Sequence, residues 1–135
     1  MATAALYYTT PGNAQPNLDS PTANASVITA TNVVTAVTGT TNGRRISRVR
    51  VGSRIDTTPA ANRLVFFLST DGGTNKRYLC DVLLASASTG SATVRSPYAE
   101  VPELVGLVLQ STNSILYVGS WTTQSSVCSI EYNDA

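Results

Sequence analysis

Apolar and polar residues alternate along much of the chain after residue 26, which is the period of a β-strand. The segment 44–55 is the clearest example, because apolar side chains fall on one face and arginines on the other. The apolar set is Val49, Val51 and Ile55, and the arginine set is Arg48, Arg50 and Arg54. The pattern predicts a strand with one buried face and one face toward solvent or a partner.

The segment 63–69 is apolar on both faces, with Leu64 and Phe66 on one and Val65 and Phe67 on the other. It is predicted to be a central strand that is covered on each side. The sequence DGGTN at 71–75 is typical of a hairpin tip. The return strand then places four side chains on one apolar face: Tyr78, Cys80, Val82 and Leu84.

About eight strands are predicted in all, with turn residues between them and no helix. They cover residues 26–38, 44–55, 63–69, 76–85, 92–98, 104–110, 114–121 and 126–132. The segment 26–38 is equally consistent with two short strands. The segment 92–98 is expected to be an edge strand, because Pro97 cannot donate a main-chain hydrogen bond. Many short strands at this spacing predict an all-β antiparallel sandwich or barrel over residues 26–135.

Residues 1–25 show neither strand nor helix periodicity. They hold three of the six prolines and one charged side chain, Asp19. We predict an extended N-terminal arm, whose only aromatic residues are Tyr7 and Tyr8. Two hypotheses remain open, a flexible tail or an arm that docks on a neighbouring subunit and becomes ordered there.

Composition argues against catalysis. The chain has no histidine, so it lacks the commonest general base and the commonest metal ligand. No phosphate-binding loop, dinucleotide-binding motif or nucleophile elbow is present. Two cysteines without histidine do not form a zinc motif. We therefore expect no enzyme activity, no cofactor and no metal site.

The two cysteines, Cys80 and Cys128, both fall on apolar strand faces. They are expected either to be buried thiols or to form a disulfide that links two strands. No window approaches the length of about eighteen apolar residues that a membrane span needs. The N-terminus lacks a basic region followed by an apolar run, so synthesis in a cytoplasm is expected.

The arginine-rich strand is the most suggestive candidate site, with Arg44 and Arg45 at its start and Arg48, Arg50 and Arg54 on one face. Three hypotheses compete: solvated side chains, pairing with carboxylates of a protein partner, and nucleic-acid binding. Nine Lys and Arg residues against eight Asp and Glu leave a net charge of +1, which argues against nucleic acid.

Three motifs in succession carry a family resemblance. They are GRRISRVRV at 43–51, RLVFFL at 63–68 with the DGGTN tip at 71–75, and YLCDVLL at 78–84. In this order they resemble small jelly-roll virion proteins of tailed bacteriophages, of the type that decorates or cements the capsid. The resemblance covers roughly residues 26–132. It implies a jelly-roll β-sandwich that attaches to a phage particle as a homotrimer.

The expected function is therefore structural, on the exterior of the phage head. The expected partners are the major capsid protein and further copies of the chain. The arm with Tyr7 and Tyr8, together with the arginines, would provide the contacts, and no membrane is involved. An alternative is a tail, tail-fibre or head–tail connector subunit. A glycan-binding form of that alternative would use Tyr117 and Trp121, which have the same strand parity, unless both pack in the core.

Overall fold

The computed structural model describes residues 7–55, 59–86 and 97–135. These form nine β-strands and one short 3-10 helix, Pro102–Leu104. The strands are β1 Thr10–Ala14, β2 Val34–Thr38, β3 Arg44–Ser53, β4 Asn62–Ser69, β5 Arg77–Leu84, β6 Tyr98–Glu100, β7 Val108–Leu109, β8 Ile115–Ser120 and β9 Ser126–Asp134.

Two antiparallel sheets divide these strands. Sheet A has the order β1-β9-β3-β6, with β7 also paired to β3, and sheet B has the order β2-β8-β4-β5. Apart from β7, four strands lie in each sheet, and the chain crosses between the sheets in the order of a jelly roll. The predicted all-β jelly-roll-like sandwich is thus confirmed.

The core lies between the two sheets. Its fully buried side chains include Ile46, Val49, Val51, Leu109 and Ile130 on sheet A, and Leu64, Phe66, Leu84 and Leu116 on sheet B. The alternation predicted for residues 44–55 is therefore observed at Val49 and Val51. A register shift between Ile46 and Arg48, opposite β9, keeps both Ile46 and Val49 buried although they are three residues apart.

Strand β4 is covered on both faces, as its two-sided apolar sequence predicted. Leu64 and Phe66 face the inter-sheet core, while Val65 and Phe67 pack with Tyr117 in a second cluster on the outside of sheet B. Val27, Ala30 and Val33 pack on this second cluster. The cover is thus a loop of the chain and not a third sheet.

That loop is part of the segment predicted as a first strand at 26–38, and only Val34–Thr38 is a strand. The side chain of Asn24 accounts for the difference. Its oxygen accepts hydrogen bonds from the backbone N–H groups of Thr31 and Asn32, and its amide donates to the carbonyls of Ser26 and Thr29. These bonds replace the strand ladder that the β-branched residues would otherwise form.

The boundary between arm and sandwich also differs from the expectation. Thr10–Ala14 forms strand β1 at the edge of sheet A, paired with β9, and Leu18 is 2% exposed in the core. The sandwich therefore includes residues that the sequence pattern assigned to a separate arm. The sequence TPGNA gives no apolar alternation because its strand is held by main-chain pairing.

Two smaller differences concern the edges. The predicted strand 104–110 is a 3-10 turn followed by β7, which lets Leu104 reach the core. In β5 a register shift opposite Phe66 and Phe67 puts Tyr78 out of phase with Cys80, so Tyr78 is exposed. Of the predicted strand 92–98, residues 92–96 lie outside the described part of the chain.

Candidate interaction surface

The predicted arginine site lies at and around strand β3, and each arginine has a distinct environment. Arg44 is the most enclosed. Its Nε lies 2.6 Å from Asp134 Oδ1, and its second terminal nitrogen lies 3.0 Å from Oδ2. It also donates to the carbonyl of Thr38 and stacks 3.9 Å from the centre of the Tyr132 ring. Arg44 therefore anchors β9 to β3 and is not presented to a partner.

The ion pair between Arg44 and Asp134 shifts the pKa of both groups. The hydrogen bond from Arg44 lowers the pKa of Asp134 below its ordinary value, and the same bond raises the pKa of Arg44. Both side chains are largely shielded from solvent. The predicted arginine strand thus begins with a structural pair whose carboxylate lies ninety residues away in sequence.

Arg48 joins β3 to the edge strand β6. Its terminal nitrogen and Nε donate to Glu100 Oε1 at 2.6 and 3.1 Å. This hydrogen bond lowers the pKa of Glu100, and the charge of Arg50 lowers it further. The pair is about half exposed, so its net contribution to stability is small.

Arg54 lies beyond the end of β3 and forms an ion pair with Asp19. The pair contacts the segment that follows β1, and because both side chains are more than half exposed its net contribution to stability is small. Arg45 and Arg50 are both exposed on β3. Sheet A therefore presents Arg45, Arg48 and Arg50 along one strand. Glu100 and Glu131 lie close enough to Arg48 to raise its pKa.

Beside Arg50 the outer face of sheet A has a depression of about 280 Å³. Gly52 lines it, and a Cβ there would lie 3.3 Å from the Pro97 carbonyl oxygen, 3.4 Å from Val127 and 3.6 Å from Tyr98. Val127 is 43% exposed and Tyr98 is 53% exposed. No sequence motif marks these residues as a site, although a glycine inside a strand is a known sign of close approach.

The two tyrosines of the predicted arm are separated by the structure. Tyr7 is 75% exposed. The hydroxyl of Tyr8 instead lies against Gly43, where an added Cβ would be 3.1 Å away. Only Tyr7 is thus displayed for a partner.

The proposed glycan contacts are also separated. Tyr117 is 9% exposed and packs in the second cluster under the ammonium of Lys76. Trp121 is partly buried, and the guanidinium of Arg63 lies 4.7 Å from its ring centre. It borders an open depression of about 370 Å³ beside the exposed Leu83. Tyr117 and Trp121 therefore do not form a shared exposed aromatic platform.

Cys80 and Cys128 are free and buried. Burial raises the pKa of the Cys80 thiol to about 11 and that of Cys128 to about 12. Within residues 7–55, 59–86 and 97–135, no group of three or more His, Cys, Asp and Glu side chains could hold a metal ion. In those same ranges no helix has the length and apolar character needed to cross a membrane.

No protein-family model matches the chain, and no curated protein matches it. Solved structures with similar folds include Eiger TNF from S. frugiperda, at 12% identity and a TM-score of 0.45, covering 92% of this chain and 85% of that one. The T13 IBDV viral particle is also similar, at 11% identity and a TM-score of 0.38, covering 99% of this chain and 33% of that one. The infectious bursal disease virus VP2 subviral particle is similar at 11% identity and a TM-score of 0.36, covering 92% of this chain and 32% of that one.

The chain spans about a third of the length of those viral chains. The comparisons identify no bacteriophage family. Similarity at this distance assigns no function. The chain is an all-β sandwich with viral capsid proteins among its distant structural neighbours.

Proposed function

We propose that this chain is a structural virion protein that binds the exterior of a bacteriophage head and stabilises it as a decoration or cement protein. The observation that carries the proposal is the position of the family-like motifs in the fold. GRRISRVRV lies in β3 apart from its first residue, RLVFFL lies in β4, and YLCDVLL lies in β5. The strand order of the sandwich is that of a jelly roll. The motifs thus occupy successive strands of the architecture that the resemblance implies.

The exposed arginines on sheet A supply the proposed contact with the major capsid protein. Arg45 and Arg50 display guanidinium groups on an ordered strand, and such groups suit carboxylates of a protein partner. Val127 and Tyr98 add apolar area next to Arg50. A mixed surface of this kind is typical of a protein interface.

The proposed mechanism couples binding of the protein to the stability of the shell. A protein that binds only the mature shell stabilises that shell by the free energy of occupancy. The proposal needs no catalytic group and no cofactor. A trimer places three copies around a local three-fold position through heterologous contacts that close into a ring. The protein would be made in the host cytoplasm and would end on the capsid exterior.

Binding to heads that lack the protein tests the proposal. Purified protein is mixed with immature and with expanded heads, the heads are sedimented, and the bound copies are counted. We expect saturable binding to expanded heads in multiples of three per local three-fold position. Absence of binding to both head forms would contradict the proposal and favour a tail position.

A charge variant tests the contact surface in the same assay. Arg50→Gln should weaken head binding roughly tenfold, because charge-assisted hydrogen bonds to a partner are lost. Arg77→Gln is the matched control, since Arg77 is an exposed arginine on β5 of sheet B. Equal affinities of the two variants would remove sheet A from the interface.

A further inference from the structure

Strand β1 and the residues that follow it form a strap, residues 9–19, that wraps the edge and one end of the sandwich. The strap binds β9 and the residues around it. Thr9 N–H donates to the carbonyl of Asp134, and Ser126 N–H donates to the carbonyl of Leu18. Asp19 completes the strap through its ion pair with Arg54.

Within the strap, few side chains are held by packing. The five residues of β1 are exposed or partly exposed, and Leu18 is the one fully buried side chain between residues 7 and 20. Antiparallel pairing with β9 over Thr10–Ala14 therefore provides most of the attachment. Main-chain hydrogen bonds of this kind form equally well with a β1 strand from the same chain or from another copy.

A short hinge links the strap to the sandwich. Leu18 is fixed in the core, and Asn24 is fixed by its N–H bond to the carbonyl of Ser120. The hinge is residues 20–23, between the end of the strap and Asn24. Fully extended, four residues span roughly 14 Å, so an opened hinge lets the strap reach beyond its own sheet.

The hinge is strained in the closed form. Ser20 has φ +46, and among the described residues it is the one non-glycine residue with positive φ. Pro21 follows it and stiffens the same turn. A short hinge under strain favours exchange of the element it carries.

We propose that the strap exchanges between copies of this chain, so that β1 of one copy pairs with β9 of a second copy. The exchanged strap would keep the contacts with β9, with Ser126 and with Arg54, since all of them lie on the body of the sandwich. Exchange releases the Ser20 strain at no loss of these contacts. It is a property of the isolated protein and does not depend on head binding.

Cysteine cross-linking between two singly substituted chains tests the exchange. Asn13 and Glu131 are exposed and directly opposite in the β1–β9 register. Chains with Asn13→Cys are mixed with chains carrying Glu131→Cys, concentrated, and oxidised. We expect a disulfide-linked heterodimer on a non-reducing gel, because the two positions meet across chains only after exchange. Asn13→Cys mixed with Glu103→Cys is the mismatched control.

The double variant Asn13→Cys/Glu131→Cys shows that the two positions can be bridged when they lie in one chain. Heterodimer at or below the level of the mismatched control, alongside efficient closure of the double variant, would overturn the proposal.

A hinge variant gives a second measurement by size-exclusion chromatography with light scattering. Ser20→Gly relieves the positive φ and should lower the exchanged fraction about fivefold per hinge.

Thr22→Gly is the matched hinge control. It adds the same backbone freedom two residues away, where φ is not positive. Its exchanged fraction should stay within about twofold of the parent value, because no strain is relieved. An exchanged fraction that Ser20→Gly leaves unchanged, or that Thr22→Gly lowers equally, would contradict the role of Ser20.

Discussion

At the scale of single residues, Gly12 shows how closely β1 approaches β9. The Tyr132 ring lies over it, and a Cβ on residue 12 would be 2.3 Å from a ring carbon. The ring has little freedom to move, because Arg44 stacks on it and is itself bonded to Asp134. We predict that Gly12→Ala lowers the free energy of unfolding by about 1–3 kcal/mol through overpacking.

Urea unfolding measures this change, and Asn13→Ala is the neighbouring control, since Asn13 is exposed in the same strand. The control should lie within about 0.5 kcal/mol of the parent. A Gly12→Ala variant as stable as the control would show that the Tyr132 ring moves aside freely.

Asp71 gives a prediction for acid stability. Bonds from the Asn75 backbone N–H, the Ser69 hydroxyl and the Asn75 amide lower the pKa of Asp71 from 3.8 to about 2. Because the folded-state pKa is depressed, the carboxylate stabilises the fold above the unfolded-state pKa. That contribution is lost as pH falls from about 4 to about 2.

We therefore expect Asp71→Asn to be less stable than the parent at neutral pH, with the difference disappearing as pH approaches 2. Unfolding free energies measured across this range test the sign. A difference that stays constant with pH would mean that the charge of Asp71 plays no part.

The thiols of Cys80 and Cys128 should be unreactive in the folded protein. Both are buried, and burial raises their pKa to about 11 and about 12, so little thiolate exists at pH 8. A thiol reagent should modify neither cysteine in native buffer and both in denaturant. Rapid modification of either thiol in the native state would contradict the burial described here.

The residue scale also shows where sequence patterns stop being informative. The alternation around Val49 and Val51 predicted which side chains are buried. It could not reveal the partners of the arginines, because Asp134 and Glu100 are distant in sequence and meet β3 only through sheet pairing. The arginines therefore differ in role, since Arg44 is an internal anchor and Arg50 is exposed.

At the scale of elements, the loop after Asn24 acts as a cover for the second cluster. Asn24 is 5% exposed, and its side chain makes four hydrogen bonds to loop backbone. We predict that Asn24→Ala lowers the free energy of unfolding by about 1–3 kcal/mol, because four backbone groups of the loop lose their hydrogen-bond partner. Hydrogen exchange should rise at residues 26–32, and the fluorescence of Trp121 should shift to the red.

The matched control for this loop is Asn32→Ala. Asn32 lies in the same loop but is exposed, and its side chain makes one bond, to the carbonyl of Ala23. It should leave hydrogen exchange in the loop nearly unchanged. If the two variants behave alike, the loop is held by its apolar contacts and not by Asn24.

Elements with strong apolar alternation were predictable, and elements held by polar groups were not. The two-sided sequence of β4 identified a central strand, and the DGGTN tip identified its hairpin with β5. Strand β1 escaped prediction because its residues pair through the main chain. The β-branched run at 26–33 is typical of a strand, and the bonds of the Asn24 and Ser26 side chains to its backbone explain why it is a loop.

At the scale of the whole molecule, the two outer faces of the sandwich differ in chemistry. Sheet A presents the arginines of β3 with Glu100 and Glu131, around the depression over Gly52. Sheet B is partly covered by the loop after Asn24, and it exposes Leu83 at 68% beside Trp121. A head-binding protein needs one face toward the shell, and the charged face of sheet A is the one that we assign to it.

Cryo-electron microscopy of virions that contain the chain tests most directly whether it decorates the exterior of a phage head. We predict density for the two-sheet sandwich outside the shell, in groups of three around local three-fold positions, with sheet A toward the major capsid protein. Virions whose heads lack this density, or that place it in the tail, would contradict the account.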